Sequence, residues 1–200
     1  MTDKWRTRLL NAVSPLQDGV RPLQVNHFRA NDEGPVRPAR TAAVLVPILA
    51  LEQPEILLTR RAAHLKTHAG QVSFPGGGAE EGDDSAVRTA LREAEEEIGL
   101  SPDRVTPLGF LDRFDTVSDY RVLPIVGWIK PPAKWVIDHR EVEQVFTLPL
   151  EIALDRSRYK ERVMKSDNQR FVVHSIEWKG NVVWGLTAAM LINLIDRIDD

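Results

Sequence analysis

The sequence predicts an α/β fold, a mixed sheet flanked by helices, and three features carry that prediction. Two apolar runs of strand length lie close together at residues 42–49 (AAVLVPIL) and 55–59 (EILLT). An amphipathic helix with clear ends occupies residues 84–98, and a second run with helical apolar spacing closes the chain at 187–198. Sheet and helices can bury their apolar surfaces only against one another, which is what the expected layering achieves.

Taken in order, residues 5–13 read as a short amphipathic helix, followed by a Pro-rich, polar connector to Arg40 that includes Asn31-Asp32-Glu33-Gly34-Pro35. The compact domain is expected to begin near Thr41, dividing the chain into residues 1–40 (helix and connector) and 41–200. After the first two strands, a short strand is expected at 72–74 and further strands at 104–110, 121–129 and 170–178. No internal repeat or low-complexity tract interrupts the series.

The helix at 84–98 carries the chemistry. Steps of three and four residues at about 100° each keep Glu93, Glu96 and Glu97 on one stripe, while Glu95 points elsewhere. Like charges at these spacings repel by a few tenths of a kcal/mol per pair, so divalent cations give the arrangement its most direct purpose. Val87, Ala90, Leu91, Ala94 and Ile98 form a separate apolar stripe roughly 120° round, leaving one face to pack and its neighbour for ligands. Asp83, Asp84 and Ser85 supply capping oxygens and early negative charge; Gly99 and then Pro102 stop the helix. Arg92 lies one turn before Glu96 and can hold it.

Upstream, Ser73-Phe74-Pro75-Gly76-Gly77-Gly78 reads as a strand end and a glycine-rich loop feeding the acidic helix. Glycines allow a backbone to approach phosphate oxygens or a metal without a side chain in the way.

Together these parts resemble a known pattern. The segment GAEEGDDSAVRTALREAEEEIGL is similar to the Nudix box, G-x5-E-x7-R-E-U-x-E-E-x-G-U with U a bulky apolar residue, aligned from Gly78 to Leu100. Arg92, Glu93, Glu96, Glu97, Gly99 and Leu100 fall in place; Asp84 stands where the box has its first Glu, and Ala94 is smaller than the usual apolar residue. Further upstream, LLTRRAAHLKTHAGQVSFPGG resembles the signature L-L-T-x-R-S-x-x-L-R-x-H-x-G-Q-V-x-F-P-G-G of coenzyme A pyrophosphatases, with Ala62 for Ser and Lys66 for Arg. Lys66 keeps the charge without the planar fork that grips phosphate bidentately. Trp184-Gly185-Leu186-Thr187-Ala188 also resembles that subfamily's I-W-G-L-T-A segment.

The resemblance implies a Nudix α/β/α sandwich with a mixed β-sheet. It also implies a pyrophosphohydrolase that splits coenzyme A, or an acyl-CoA, into 3′,5′-ADP and (acyl-)4′-phosphopantetheine. Another nucleoside diphosphate derivative such as ADP-ribose is the alternative substrate, and a non-catalytic binding module, whose signature would be loss of the metal carboxylates, comes last. Carboxylate oxygens suit Mg²⁺ or Mn²⁺, which share their shell with water and substrate phosphates. Glu93 and Glu97 are the expected ligands, Glu96 a further ligand or the general base, and Arg92 its partner. Arg61, Lys66, Arg60, Gly76 and Gly77 are expected to meet the substrate phosphates. Glu141 and Glu143, in HREVEQVFTLPL, are alternative bases, and the residues do not choose among them.

Plainer explanations compete with each feature. An acidic run on a helix is most often a solvated face, and only the flanking motifs turn the weighing toward metal. His68 reads as a loop organiser, because no second His has ligand spacing; Arg60 and His64 are equally readable as surface charge. Phe74, Trp184 and Leu186 are expected in the core. Asp112, Asp115 and Asp119 lack the glycine and terminal Glu of a calcium loop.

Composition bounds the rest. The formal charge, 26 basic against 29 acidic residues, is −3, which implies no general nucleic-acid affinity. With no cysteine there is no disulfide, thiolate ligand or cysteine nucleophile. No run of 18 apolar residues and no secretory signal is present, so the expected location is cytoplasmic, with no membrane partner. A homodimer contact through the first forty residues stays open by analogy alone.

Overall fold

The computed structural model describes residues 2–16, 25–27, 40–116, 119–132, 134–166 and 169–200. Most of the expected connector before Arg40 lies outside these residues. In chain order the first elements are α1 (Thr2–Ala12), β1 (Val25–His27), β2 (Arg40–Leu49), β3 (Glu55–Arg61), β4 (Val72–Ser73), β5 (Gly76–Gly78) and α2 (Ala86–Ile98). They are followed by β6 (Val105–Phe110), β7 (Arg113–Asp115), β8 (Tyr120–Ile129), β9 (Val142–Pro149) and α3 (Leu150–Ala153). The last are β10 (Lys160–Ser166), β11 (Gln169–Trp178), β12 (Asn181–Trp184) and α4 (Gly185–Asp199).

The strand β2 organises the main sheet. It runs parallel to β8 along its whole length, from Arg40 opposite Tyr120 to Leu49 opposite Ile129. On its other side it is antiparallel to β3 at one end, Ile48 opposite Ile56, and to β5 at the other, Val44 opposite Gly76. Alternation along β2 then divides the core, because successive side chains point to opposite faces. Val46 and Ile48 pack in one cluster with Leu9 of α1 and Leu191 and Leu194 of α4. Ala43, Leu45 and Leu49 pack in a second with Ala90, Ala94 and Ile98 of α2. The α/β/α sandwich with a mixed sheet is therefore present. Leu9 and Ala12 share the first cluster with α4, so α1 and the sandwich bury one continuous core.

A buried polar network reinforces that junction. Asp112 accepts from Arg197 Nη2 at 2.8 Å and from Asn193 Nδ2 at 2.6 Å, and its own N–H donates to Asn193 Oδ1 at 3.1 Å. Arg197 Nη1 donates to the Ala12 carbonyl at 2.8 Å, tying the end of α1 to α4. Asp112 thus serves packing, in keeping with the absence of a calcium-loop pattern.

Several elements depart from expectation. Gly76–Gly78 reads as a loop in sequence but pairs with β2 as β5, because strand pairing uses backbone groups that glycine retains. The strands β1, β7, β9, β10 and β12 and the short α3 lie outside the expected set. Trp184, expected in the core, is 42% exposed at the end of β12, in a separate antiparallel sheet of β10, β11 and β12. Phe74 is buried as expected, and Leu186 packs against the core.

Candidate active site

The helix α2 is fixed at both ends by its own sequence. Ser85 caps it in extended conformation, its hydroxyl accepting from the Arg88 N–H at 3.2 Å. Gly99 closes it with φ 66°, donating its N–H to Ala94 and Glu95 carbonyls; this left-handed position favours glycine. Ala90, Ala94 and Ile98 anchor one face against β2, which presents Glu97 toward Arg61 of β3 and Glu93 toward Gly77 of β5.

Arg92 is the hub of the acidic face. Its Nη1 donates to Glu93 Oε1 at 3.0 Å and to Glu96 Oε2 at 3.1 Å, and its Nη2 to the Gly78 carbonyl at 2.9 Å and Asp83 Oδ2 at 3.0 Å. Nε reaches Asp83 Oδ1 at 3.4 Å. All five guanidinium N–H donors are engaged, so the side chain is held rigidly. The predicted Arg92–Glu96 pairing is present, but Arg92 also grips Asp83 and Glu93.

The three glutamates differ sharply in environment. The Glu96 side chain is 58% exposed, whereas that of Glu93 is 15% exposed and that of Glu97 only 5%. Glu97 borders the apolar stripe, and burial raises its carboxyl from 4.5 to about 8; the Arg61 charge and a backbone hydrogen bond from Gly76 pull the other way. Burial also raises the Glu93 carboxyl, with the charge and hydrogen bond of Arg92 opposing. Among the described residues Glu97 Oε2 is buried without a hydrogen-bond partner, and leaving a carboxylate oxygen so costs its full desolvation penalty. A hard cation would satisfy it. Among the described residues no three His, Asp or Glu side chains are gathered closely enough to hold an ion by themselves. Instead Arg92 bridges Glu93 and Glu96, and Arg61 faces Glu97. An open, partial carboxylate set of this kind suits cations that complete their shell with water and phosphate.

The basic strand lies across from the helix. Arg61 Nη1 stands 4.0 Å from Glu97 Oε1, and Arg61 Nε is buried without a partner among the described residues. Arg60, next along β3, points away and donates to Glu143 Oε1 at 3.2 Å and Asn181 Oδ1 at 3.4 Å. The structure thus brings Arg61 to the glutamates and leaves Arg60 on a different polar cluster. Lys66 is exposed on the loop after β3 and makes no hydrogen bond or ion pair among the described residues. His64 Nε2 meets the Arg140 carbonyl at 3.1 Å, and His68 Nδ1 meets Gln71 Oε1 at 2.9 Å with its own φ at 56°, an organiser of its loop.

Gly76 and Gly77 press against the site. A Cβ on Gly77 would lie 2.6 Å from Glu93 Oε1, and one on Gly76 would lie 2.5 Å from the Ala43 carbonyl. Between β3 and β9 the register shifts at Arg60/Arg61, so that Arg60 opposes Gln144 and Arg61 opposes Val142. Such bulges re-aim side chains. Glu141 lies close enough to raise both the Glu93 and Glu97 carboxyls, whereas Glu143 is engaged by Arg60. Sequence reading left these two equal, and it missed Asp83 as the main partner of Arg92, since spacing cannot show which of two adjacent aspartates turns inward.

Known proteins resemble this chain over most of its length. The family described as NUDIX domain matches residues 39–175. A Pectobacterium atrosepticum protein named Uncharacterized Nudix hydrolase NudL is 43% identical over 166 residues, covering 83% of this chain and 86% of that protein. Its Escherichia coli K12 namesake is 43% identical over 161 residues, covering 80% and 83%. A MutT protein from Methanosarcina mazei Go1 superposes with a TM-score of 0.51 at 21% identity, covering 83% of this chain and 96% of its own, a likeness of fold.

Proposed function

This chain belongs to the Nudix family, a hydrolase acting on a nucleoside diphosphate derivative, and we propose that its substrate is coenzyme A or an acyl-CoA. The products would be 3′,5′-ADP and (acyl-)4′-phosphopantetheine. The observation that carries this reading is the 4.0 Å approach of Arg61, from the basic motif, to Glu97, from the acidic helix. Two sequence motifs that are distant along the chain meet at one pair of side chains. Ala62, a departure from the coenzyme A signature, is 3% exposed and gives its N–H to the Glu141 carbonyl. That substitution lies in packing rather than on the basic rim, so it leaves the reading standing. Lys66 is the charged departure.

Glu93 and Glu97 would hold Mg²⁺ or Mn²⁺, with Glu96 beside them. A cation held by these residues would supply charge neutralisation to the pyrophosphate and acidity to the attacking water. Hydrolysis adds water across the P–O–P bridge: the water oxygen bonds one phosphorus, the bridging oxygen leaves with the other phosphate, and a proton passes to a carboxylate. Glu96 or Glu141 would take it; Glu143 belongs to the separate polar cluster around Arg60. Arg92 acts as a positioning residue, fixing Glu93 and Glu96, and Arg61 would offer its charge to phosphate. Gly76 and Gly77 keep the backbone close to the carboxylates without intruding.

Incubating the purified chain with Mg²⁺ or Mn²⁺ and, separately, coenzyme A, an acyl-CoA, ADP-ribose, NADH and a diadenosine polyphosphate tests the proposal. Cleavage of coenzyme A or the acyl-CoA to the stated products is expected. Intact coenzyme substrates alongside cleaved ADP-ribose would refute the substrate assignment and leave the family membership untouched.

A further inference from the structure

The family pattern aligned on Gly78 puts its first acidic residue at Asp84, yet the side chains assign that place differently. Asp83 is 4% exposed at its side chain and accepts from Arg92 Nη2 at 3.0 Å, Thr89 Oγ1 at 3.0 Å and the Glu80 N–H at 3.1 Å. Arg92 Nε adds a bond to its other oxygen at 3.4 Å. Asp84 is exposed and, among the described residues, receives only the Ser85 hydroxyl, at 3.0 Å. The preceding turn explains the difference: Gly82 takes φ 103°, a conformation that side chains rarely adopt, and the chain leaves it with Asp83 directed at the helix.

We propose that Asp83, and not Asp84, is the positioning residue that holds Arg92 and through it orients Glu93 and Glu96 for the cation. The inference rests on the proposed metal-dependent reading of α2. Its physical content is a relay. The guanidinium can brace two glutamates on one side because a carboxylate and the Gly78 carbonyl fix its other side. Without Asp83, Arg92 keeps its charge but loses the anchor that sets where Glu93 and Glu96 sit. An outer partner of this kind typically changes metal affinity or activity by about tenfold to a hundredfold when removed.

The test compares Asp83→Asn, Asp84→Asn, Arg92→Lys and the Asp83→Asn/Arg92→Lys pair in the full chain. Mn²⁺ binding is read by calorimetry without substrate, and kcat and KM are read with the substrate that the panel identifies. Asp83→Asn is expected to weaken Mn²⁺ binding by about tenfold or more and to lower kcat with little change in KM. Asp84→Asn is expected to stay within about twofold of the parent in both. The double variant is expected to lose no more than Arg92→Lys alone, since Asp83 acts through Arg92. Thr89→Val, which removes one donor to Asp83, serves if Asp83→Asn does not fold, and a smaller loss of Mn²⁺ affinity in the same direction is expected. A parent that binds Mn²⁺ but leaves coenzyme A intact refutes the substrate and still reads out Asp83. Equal effects at 83 and 84, additive losses in the pair, or unchanged Mn²⁺ binding in both Asp83→Asn and Thr89→Val would overturn the proposal.

Discussion

Gly77 lies so close to Glu93 that a Cβ placed on it would stand 2.6 Å from Oε1 and 2.7 Å from the carboxyl carbon. The obstructed group is the far end of a flexible side chain, so the fold can yield while the carboxylate cannot keep its place. Gly77→Ala is therefore expected to cost less than about 1 kcal/mol in denaturant unfolding but about a hundredfold in kcat/KM. Gly76 gives the contrasting case. There the obstruction is backbone, Ala43 O at 2.5 Å and Val44 Cα at 2.6 Å, with φ at 156°. Gly76→Ala should destabilise by about 3 kcal/mol or more through overpacking and strain.

Glu97→Gln removes the charge that a cation requires and keeps the shape. Turnover is expected to fall by more than about a hundredfold while the circular dichroism spectrum is retained. Unchanged kcat would remove Glu97 from the metal site.

Stability should depend on pH in a window set by that same residue. The unfolded chain releases the Glu97 proton near the ordinary 4.5, whereas the folded chain keeps it to about 8. Between those values the folded state binds more protons, so metal-free stability falls as pH rises, by at most about 1.4 kcal/mol per pH unit from this group. Glu93, raised in the same direction, adds to the slope. Asp83 and Asp138 are held down to about 2, chiefly by hydrogen bonds from Arg92 and Arg140 respectively. Their contribution is fully present above 3.8 and fades only as pH falls toward about 2, so it does not offset the loss. Melting in chelator should give a lower Tm at pH 8 than at pH 5, and Glu97→Gln should flatten the difference. Equal Tm values in the parent would contradict the buried, neutral carboxyl.

Glu141 and Glu143 separate by their partners. Glu143→Gln should change kcat by no more than a few fold, because that carboxylate is engaged with Arg60. Glu141→Gln and Glu96→Gln are the informative pair, and the one that serves as base should lose about a hundredfold or more in kcat. A large loss only at Glu143 would move the base to the other cluster.

Asp112→Ala tests the junction of α1, the strand ends and α4. It leaves Arg197 and Asn193 without their shared acceptor, and a loss of about 3 kcal/mol in denaturant unfolding is expected.

The acidic helix was legible because three independent signals coincided in its sequence: Ser85 and Gly99 at the ends, an apolar stripe, and glutamates at steps of three and four. What periodicity could not show was depth. Glu97 and Glu96 are neighbours in sequence, yet one borders Ala94 and Ile98 in the packed layer and the other meets solvent. Gly76–Gly78 carries no side-chain signal for a strand, so its pairing with β2 becomes visible only when the sheet is assembled. Trp184, expected in the core, stands at the end of β12, an edge strand of the three-stranded sheet, and stays exposed. Asp83 and Asp84 are adjacent after Gly82, and composition alone cannot show which one faces Arg92.

The most direct test of the account follows coenzyme A by chromatography and mass detection, with Mn²⁺, over the parent chain and Glu97→Gln side by side. The account predicts 3′,5′-ADP and 4′-phosphopantetheine in equal amounts from the parent and essentially none from the variant. Equal product from both, or no product from the parent under conditions where it cleaves ADP-ribose, would contradict it.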